Sequence, residues 1–414
     1  MNAQPAILVV GTADTKAAEI GYLCRQIEAA GAVARVMDVG VLAPAAFAPA
    51  ISNREVAAAA GVTLEALAQG GDENAAMLAM ARGAARLAQQ LHDDGRIQGL
   101  LAIGGTMGTD LALDVAAALP PGAPKLIVST VAYSHLIPPE RIAPDLMMIL
   151  WTGGLFGLNP LCESVLSQAA GAVVGACRQA LAPAFERPVV GMTSLGSSCL
   201  SYMAPLKQAL AARGYDVAIF HTTGMGGRAF EDLAAQGRFV AVLDLSLQEV
   251  SNAIHGSVVT SGQGRLEGAG RRGVPQIVAP GATDMVDFPT WEPGGSRDAG
   301  QPQHVHNRLI SSVTTTPEQR RATARAIASK LASATGPTCM ILPLGGIEEW
   351  DRPGQPLHDA AGLRAFMDEL RTQLIPNVER VEIDAHINDS AFTESVLRVF
   401  DRWVQSGQIP PGTI

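Results

Sequence analysis

Short apolar runs recur along this chain, separated by Ala-rich stretches of helical spacing, and that alternation limits the possible folds more than any other feature. Runs such as Ile7 to Val10 lack the in-and-out pattern of a strand with one wet face. Such strands are buried on both faces by covering helices, which is the arrangement of a parallel α/β sheet. The spacing predicts strands at Ile7 to Val10, Val33 to Val39, Ile97 to Ile103 and Lys125 to Ser129, with helices at Thr15 to Ala30 and Glu73 to His92. A polar patch from Asn53 to Asp72 interrupts the pattern. Pro183 to Pro188 interrupts it again after a helix that starts near Pro160, and the alternation then restarts. Strands are expected at Val189 to Thr193, Tyr215 to Phe220, Phe239 to Leu243, Gln276 to Ala279, Cys339 to Leu342 and Val378 to Ile383. Helices fall near Ser198 to Ala212, Met225 to Ala235, Pro317 to Ala334 and Gly362 to Leu374. The expected architecture is two Rossmann-like domains, residues 1–184 and 185–414, each an open, mainly parallel sheet. Thr290 to Pro302, rich in Pro and Gly, reads as a long surface loop.

Composition narrows the function classes. Hydrophobic residues make up 48% of the chain and charged ones 17%, below the ~25% usual in soluble domains, so a large core is expected. Lys and Arg number 30 against 39 Asp and Glu, and the net charge of -9 argues against a nucleic-acid groove while leaving room for a local anion site. The five cysteines, Cys24, Cys162, Cys177, Cys199 and Cys339, form no C-x-x-C pair, which suits a reduced cytoplasm. Met1 to Val10 has no secretory character, and the apolar stretch from Leu146 to Leu158 is broken by Thr152, Gly153, Gly154 and Gly157, so no membrane segment is expected.

In parallel α/β sheets, ligands gather beyond the carboxyl ends of strands, where helix N-termini present free N–H groups. Three loops of this chain are built for that position. Gly11-Thr12-Ala13-Asp14-Thr15-Lys16 follows the first strand with small residues, two hydroxyls and a cation, although it lacks the Walker ending. An ordinary turn capped by Asp14 or Thr15 is the plain alternative. Gly104-Gly105-Thr106-Met107-Gly108-Thr109 offers an oxyanion or phosphate nest in the same position. The third, His221 to Glu231, contains Thr223, Gly224, Gly226, Gly227 and Arg228. Its Gly224, Gly226 and Ala229, with Asp244 twenty residues beyond Gly224, also satisfy the dinucleotide pattern of an NAD(P)-dependent oxidoreductase. Against that, three residues separate Phe220 from Gly224, and Arg228 and Glu231 can simply pair on a helix.

Side chains able to do chemistry are fewer. His221, Glu231, Asp284 and His306 are candidate catalytic residues of a hydrolase or lyase type. His304-Val305-His306 can set two imidazoles on one side of an extended segment near Asp284 and Asp287, but hydrogen-bonded loop histidines are commoner than ligands and no metal is expected. His386 and Asp389 either form an acid/base pair or lock the loop and cap the helix that begins near Ser390. Ser194-Leu195-Gly196-Ser197 is not a nucleophile elbow.

Six ordered motifs span nearly the whole chain: Gly11-Thr12-x-Asp14-Thr15-Lys16, Gly104-Gly105-Thr106-x-Gly108-Thr109, His221-x-Thr223-Gly224-x-Gly226-Gly227-Arg228-Ala229-x-Glu231, Pro280-Gly281-Ala282-x-Asp284-Met285-Val286-x-Phe288, His304-x-His306-Asn307 and His386-Ile387-Asn388-Asp389. Together they resemble the bacterial and plant proteins similar to the N-terminal ATP-binding domain of the tomato mosaic virus resistance protein. The resemblance implies two Rossmann-like subdomains, ATP binding and a homodimer. The chain departs from that family's pattern at Leu247 and Gln248, where consecutive threonines are usual before the Glu, and at Asn252, where Asp is usual. The combined expectation is a cytoplasmic protein that holds an adenine nucleotide, ATP, in a cleft between its domains and acts on or senses a small anionic metabolite.

Overall fold

The computed structural model describes residues 4–181, 185–291 and 300–413. The chain divides into two compact units, 1–184 and 185–414. The first contains β1 (Ala6–Gly11), α1 (Ala17–Ala29), β2 (Val33–Asp38), α2 (Asn53–Ala59), α3 (Leu64–Gln69), α4 (Glu73–Asp93), β3 (Gly99–Gly104), α5 (Thr106–Ala117), β4 (Lys125–Ser129), β5 (Met147–Leu150) and α6 (Pro160–Gln179). Its five strands pair in parallel in the order β2-β1-β3-β4-β5. β1 shows why its run is apolar throughout. Ile7 and Val9 pack with Ile20, Leu23, Leu166 and Val173 from α1 and α6, while Leu8 and Val10 pack with Met80, Ala84, Leu111 and Val115 from α4 and α5. Each such buried aliphatic side chain stabilises the fold by roughly 1.5–3 kcal/mol relative to exposure.

The second unit contains β6 (Val189–Ser194), α7 (Met203–Ala212), β7 (Asp216–His221), α8 (Met225–Ala235), β8 (Ala241–Ser246), α9 (Gln248–Ile254), α10 (Gly268–Arg272), β9 (Gln276–Gly281), β10 (Met285–Pro289), β11 (Gln303–Val305), β12 (Ile310–Thr314), α11 (Pro317–Leu331), β13 (Thr338–Pro343), α12 (Ala360–Gln373), β14 (Val378–Ile383) and α13 (Ser390–Gln405). Six strands form a parallel sheet in the order β14-β13-β9-β8-β6-β7. On one face Met192 and Leu243 meet Leu206, Phe392, Phe400 and Trp403, and on the other Val278 and Met340 meet Ile327, Phe366 and Leu370. The fold is therefore two open, parallel α/β sheets flanked by helices, as the alternation predicts.

The sequence expectation contains no β5, α9 or α10, and two further regions differ from it. The polar patch from Asn53 to Asp72 carries helices α2 and α3, started by a Ser52–Glu55 capping box and by Thr63, whose side chain accepts the Ala66 amide. Those caps are written in the residues, but the helices are too short and too polar to show an apolar period. The flanks of the expected surface loop also extend differently. β10 and β11 pair antiparallel with β12 in a three-stranded sheet, and residues 292–299 lie outside the described residues. These strands escape an apolar search because their inward residues include Asp287, Ser311 and Ser312, which pair with one another's polar neighbours instead of with hydrocarbon.

Candidate functional site

In the five-stranded sheet, β2 lies on one side of β1 while β3, β4 and β5 lie on the other. Connections leaving β1 and β3 diverge to opposite faces, and the crevice opened at such a switch point is the standard ligand position in open α/β sheets. Here it is a pocket of about 370 Å3. Two of the predicted loops line it together: Thr12, Asp14, Thr15 and Lys16 from after β1, and Gly104, Gly105, Thr106 and Gly108 from after β3. Val39, Val41, Met77, Met80 and Leu111 supply an apolar wall.

Local chemistry explains the shape of this pocket. A Cβ on Gly104 would lie 2.4 Å from the Gly108 carbonyl carbon, so only glycine lets α5 begin this close to the strand end. Gly105, at the α5 N-cap, has no side chain to cap the first-turn amides, which leaves them to the pocket. Gly11 is a packing residue, since its added Cβ would press on Ile20 and Ile103 at 3.1 and 3.2 Å. Thr12 and Thr15 hydroxyls meet at 2.7 Å. Asp14 does not cap α1; it accepts the Leu42 amide at 3.0 Å and ties the loop after β1 to the loop after β2. Lys16 donates to the Leu155 carbonyl at 3.1 Å, its ammonium 5.6 Å from the Phe156 ring centre. Thr109 turns away from the pocket and bonds Ser129 at 2.7 Å within the core. Sequence reasoning missed Asp38, whose buried carboxylate accepts the Ala13 and Gly40 amides, each at 2.9 Å, and whose pKa is pushed up by burial. The signal was an acid at the carboxyl end of a strand.

The third loop lies in the second unit and is arranged differently from the expectation. Gly224 has a φ of +94°, in the left-handed region that favours glycine, and a Cβ on Gly226 would fall 1.8 Å from the His221 carbonyl oxygen. The loop does form an anion nest, but the chain fills it. Glu249 accepts the Gly224 amide at 2.5 Å and the Gly227 amide at 3.3 Å. Arg265, itself buried, holds Glu249 at 2.8 Å, Glu231 at 2.9 Å and Asp244 at 2.5 Å. Burial pushes the Glu231 and Glu249 carboxyls up, and the Arg265 charge opposes that rise. Glu231 also accepts the Gly268 amide at 2.7 Å, so both of its oxygens are engaged within the fold. Arg228 pairs with Asp232 at 3.1 Å, not with Glu231. Thr223 caps nothing in this nest; its amide bonds the His221 carbonyl at 3.0 Å. The dinucleotide pattern fails for the same reason: Asp244 is engaged by Arg265 and Thr193, and the glycine loop follows the edge strand β7.

Asp284 is fully buried, and among the described residues neither carboxylate oxygen meets a hydrogen-bond donor. Burial and the charge of Asp351 push its pKa up to about 7 against the pull of Arg320. Glu348, also buried, is pushed up to about 10 by burial and by Asp284. His386 bonds Asp351 at 2.9 Å through Nε2 and accepts the Asn388 amide at 3.0 Å through Nδ1, so it locks the loop and is no acid/base partner of Asp389. Asp389 accepts the His386 amide at 2.9 Å and, at the N-cap of α13, makes no side-chain cap. His306 Nε2 lies 2.8 Å from the Ser312 hydroxyl, and His304 stacks on Trp350 with ring centres 4.0 Å apart. Among the described residues no three His, Cys, Asp or Glu side chains are grouped to hold a metal ion, and no helix is long and apolar enough to cross a membrane.

Fold and pocket together define a two-unit parallel α/β protein with a small-molecule-sized cavity at a sheet switch point. The chain belongs to the uncharacterised protein family UPF0261: residues 5–182 match the family's N-terminal domain and residues 187–404 its C-terminal domain. A UPF0261 protein of Brucella melitensis is 56% identical over 410 residues, covering 99% of this chain and 98% of the relative. One from Clostridium tetani is 34% identical over 389 residues, 93% of this chain and 96% of the relative. The ToMV resistance protein Tm-1(GCR237) of Solanum lycopersicum is 31% identical over 324 residues, which is 75% of this chain and 42% of that protein.

Proposed function

We propose that the N-terminal unit binds an adenine nucleotide, ATP in the first instance, in the pocket at the β1/β3 switch point. The observation that carries this reading is the meeting of the two Gly- and Thr-rich loops around one cavity of about 370 Å3, within the ~300–1,000 Å3 range of small-molecule sites. The uncapped first turn of α5, the Thr12 and Thr15 hydroxyls and Lys16 suit phosphate oxygens. Met77, Met80, Val39 and Leu111 suit a flat base. Lys16 would exchange the Leu155 carbonyl for a phosphate. The nucleotide would serve a protein that dimerises and works in the cytoplasm, and light scattering with and without ATP reads the first of these.

The test is thermal unfolding of the full chain with ATP, ADP, AMP and NAD. Ligand at 100 times its Kd stabilises by about 2.7 kcal/mol. ATP should raise Tm, and Lys16→Ala should weaken that rise while Arg228→Ala leaves it intact. No rise with any adenine nucleotide would refute the proposal.

A further inference from the structure

The second unit has a cluster of polar residues that the nucleotide reading leaves unused. Asp287 on β10 is buried and accepts from Gln248 Nε2 at 2.7 Å, from Asn252 Nδ2 at 3.1 Å and from the Ser312 hydroxyl at 2.5 Å. Its own amide donates to Asn252 Oδ1 at 2.8 Å. Amide nitrogens only donate, so Gln248 and Asn252 make Asp287 the acceptor of this cluster, and their hydrogen bonds with that of Ser312 favour its carboxylate against the upward push of burial. Ser312 has one hydroxyl proton, and it goes to Asp287. Toward His306, 2.8 Å away, Ser312 can only accept. His306 therefore carries its proton on Nε2 and presents a bare lone pair on Nδ1, which among the described residues meets no donor.

His221, at the end of β7, is fixed in a complementary way. Its Nδ1 accepts the Gly196 amide at 3.3 Å, which puts the ring proton on Nε2 as an unengaged donor among the described residues. Thr222 beside it meets the Ser246 hydroxyl at 2.9 Å, two residues before the Gln248 that holds Asp287, so the end of β7 and the Asp287 carboxylate lie at the same edge of the second unit. His304 and Trp350 stack with their planes 26° apart, and His306 meets the Trp350 ring edge-on with centres 5.2 Å apart, an aromatic surface suited to a flat ligand.

We propose that this cluster is a proton-transfer site for flat, conjugated carbonyl or heteroaromatic compounds that carry an acidic C–H, with His306 as general base and His221 as hydrogen-bond donor. Nδ1 of His306 takes the proton. The C–H electron pair forms the new double bond, the displaced pair moves onto the acceptor oxygen, and His221 Nε2–H donates to that oxygen. Return of the proton from His306 closes the cycle without any further reactant. Ser312 and Asp287 are positioning residues, because they act only through the tautomer of His306.

The test uses the full-length 15N-labelled chain and 5-nitrobenzisoxazole, whose ring opens when a base removes its C–H proton, breaking the N–O bond to give a nitrile and a phenolate. Long-range 1H–15N spectra at neutral pH should show His306 and His221 both protonated at Nε2. His306→Gln should lower the ring-opening rate at least tenfold, on the scale of the ~100- to 10,000-fold that a positioned base contributes. His221→Gln should lower it several-fold. Ser312→Ala, checked for an unchanged melting profile, should mix the His306 tautomers and lower the rate several-fold without weakening probe binding. An Nδ1-protonated His306, or a His306→Gln rate equal to the wild-type rate, would overturn the proposal.

Discussion

Replacing Asp284 with Asn should stabilise the second unit, by an amount that grows with pH. Asp284 is fully buried and its carboxylate is desolvated, with only the attraction of Arg320 and of its own backbone amide to offset the loss of water. Arg320 is itself committed to Asp359 at 3.3 Å. A carboxyl whose pKa rises from 3.8 to about 7 on folding contributes stability that is complete below pH 3.8. That contribution is lost as pH rises toward 7 and stays lost above it. Roughly three pH units at ~1.4 kcal/mol each set a ceiling of ~4 kcal/mol, lowered in practice because Glu348 beside it holds its own proton. Asn keeps the shape and cannot ionise. Thermal melts of wild type and Asp284→Asn should therefore coincide near pH 4 and diverge by roughly 5–10 °C at pH 8, with the variant the more stable. A difference that is flat between pH 4 and 8, or a variant less stable at pH 8, would show that the ionised carboxylate has a partner and that the burial argument is wrong.

Other substitutions probe other parts of the fold. Arg265→Met leaves Glu231, Asp244 and Glu249 buried without their cation, and chemical denaturation should record a loss of ~3–5 kcal/mol or more; a smaller change would mean the acids are protonated in the fold. Gly83→Ala would ordinarily favour a helix, yet here the new Cβ would sit 2.0 Å from the Val56 carbonyl oxygen where α4 crosses α2, so a loss of ~1–3 kcal/mol is expected in place of a gain. Burial pushes all five thiols up, Cys24 and Cys177 to about 11 and Cys339 to about 12, so thiol titration at pH 8 should be slow in the native chain and fast after denaturation.

Much of the architecture was legible because its signals are local. The β4 expectation matches the observed strand because an apolar run bounded by turn residues needs no distant partner to be recognised, and the β14 expectation matches although Glu379, Arg380 and Glu382 interrupt its apolar residues. β10 to β12 were not legible, since their inward Asp287 and Ser312 resemble loop residues until the strands lie side by side. The same contrast runs through the candidate sites. Thr12, Lys16, Gly105 and Thr106 announce an anion-friendly turn by composition alone, but their convergence on one pocket depends on β3 lying next to β1.

By itself, then, the sequence determined the parallel α/β class, the strand ends where ligands gather, and the turns whose amides can hold an anion. The tertiary structure decided which of those turns remain open. The nest at Gly224 looks as inviting as that at Gly105, yet Glu249, 25 residues away along the chain, occupies it. Turn conformation is dictated by a handful of adjacent residues, whereas the charge that fills a turn arrives from wherever strand order brings it.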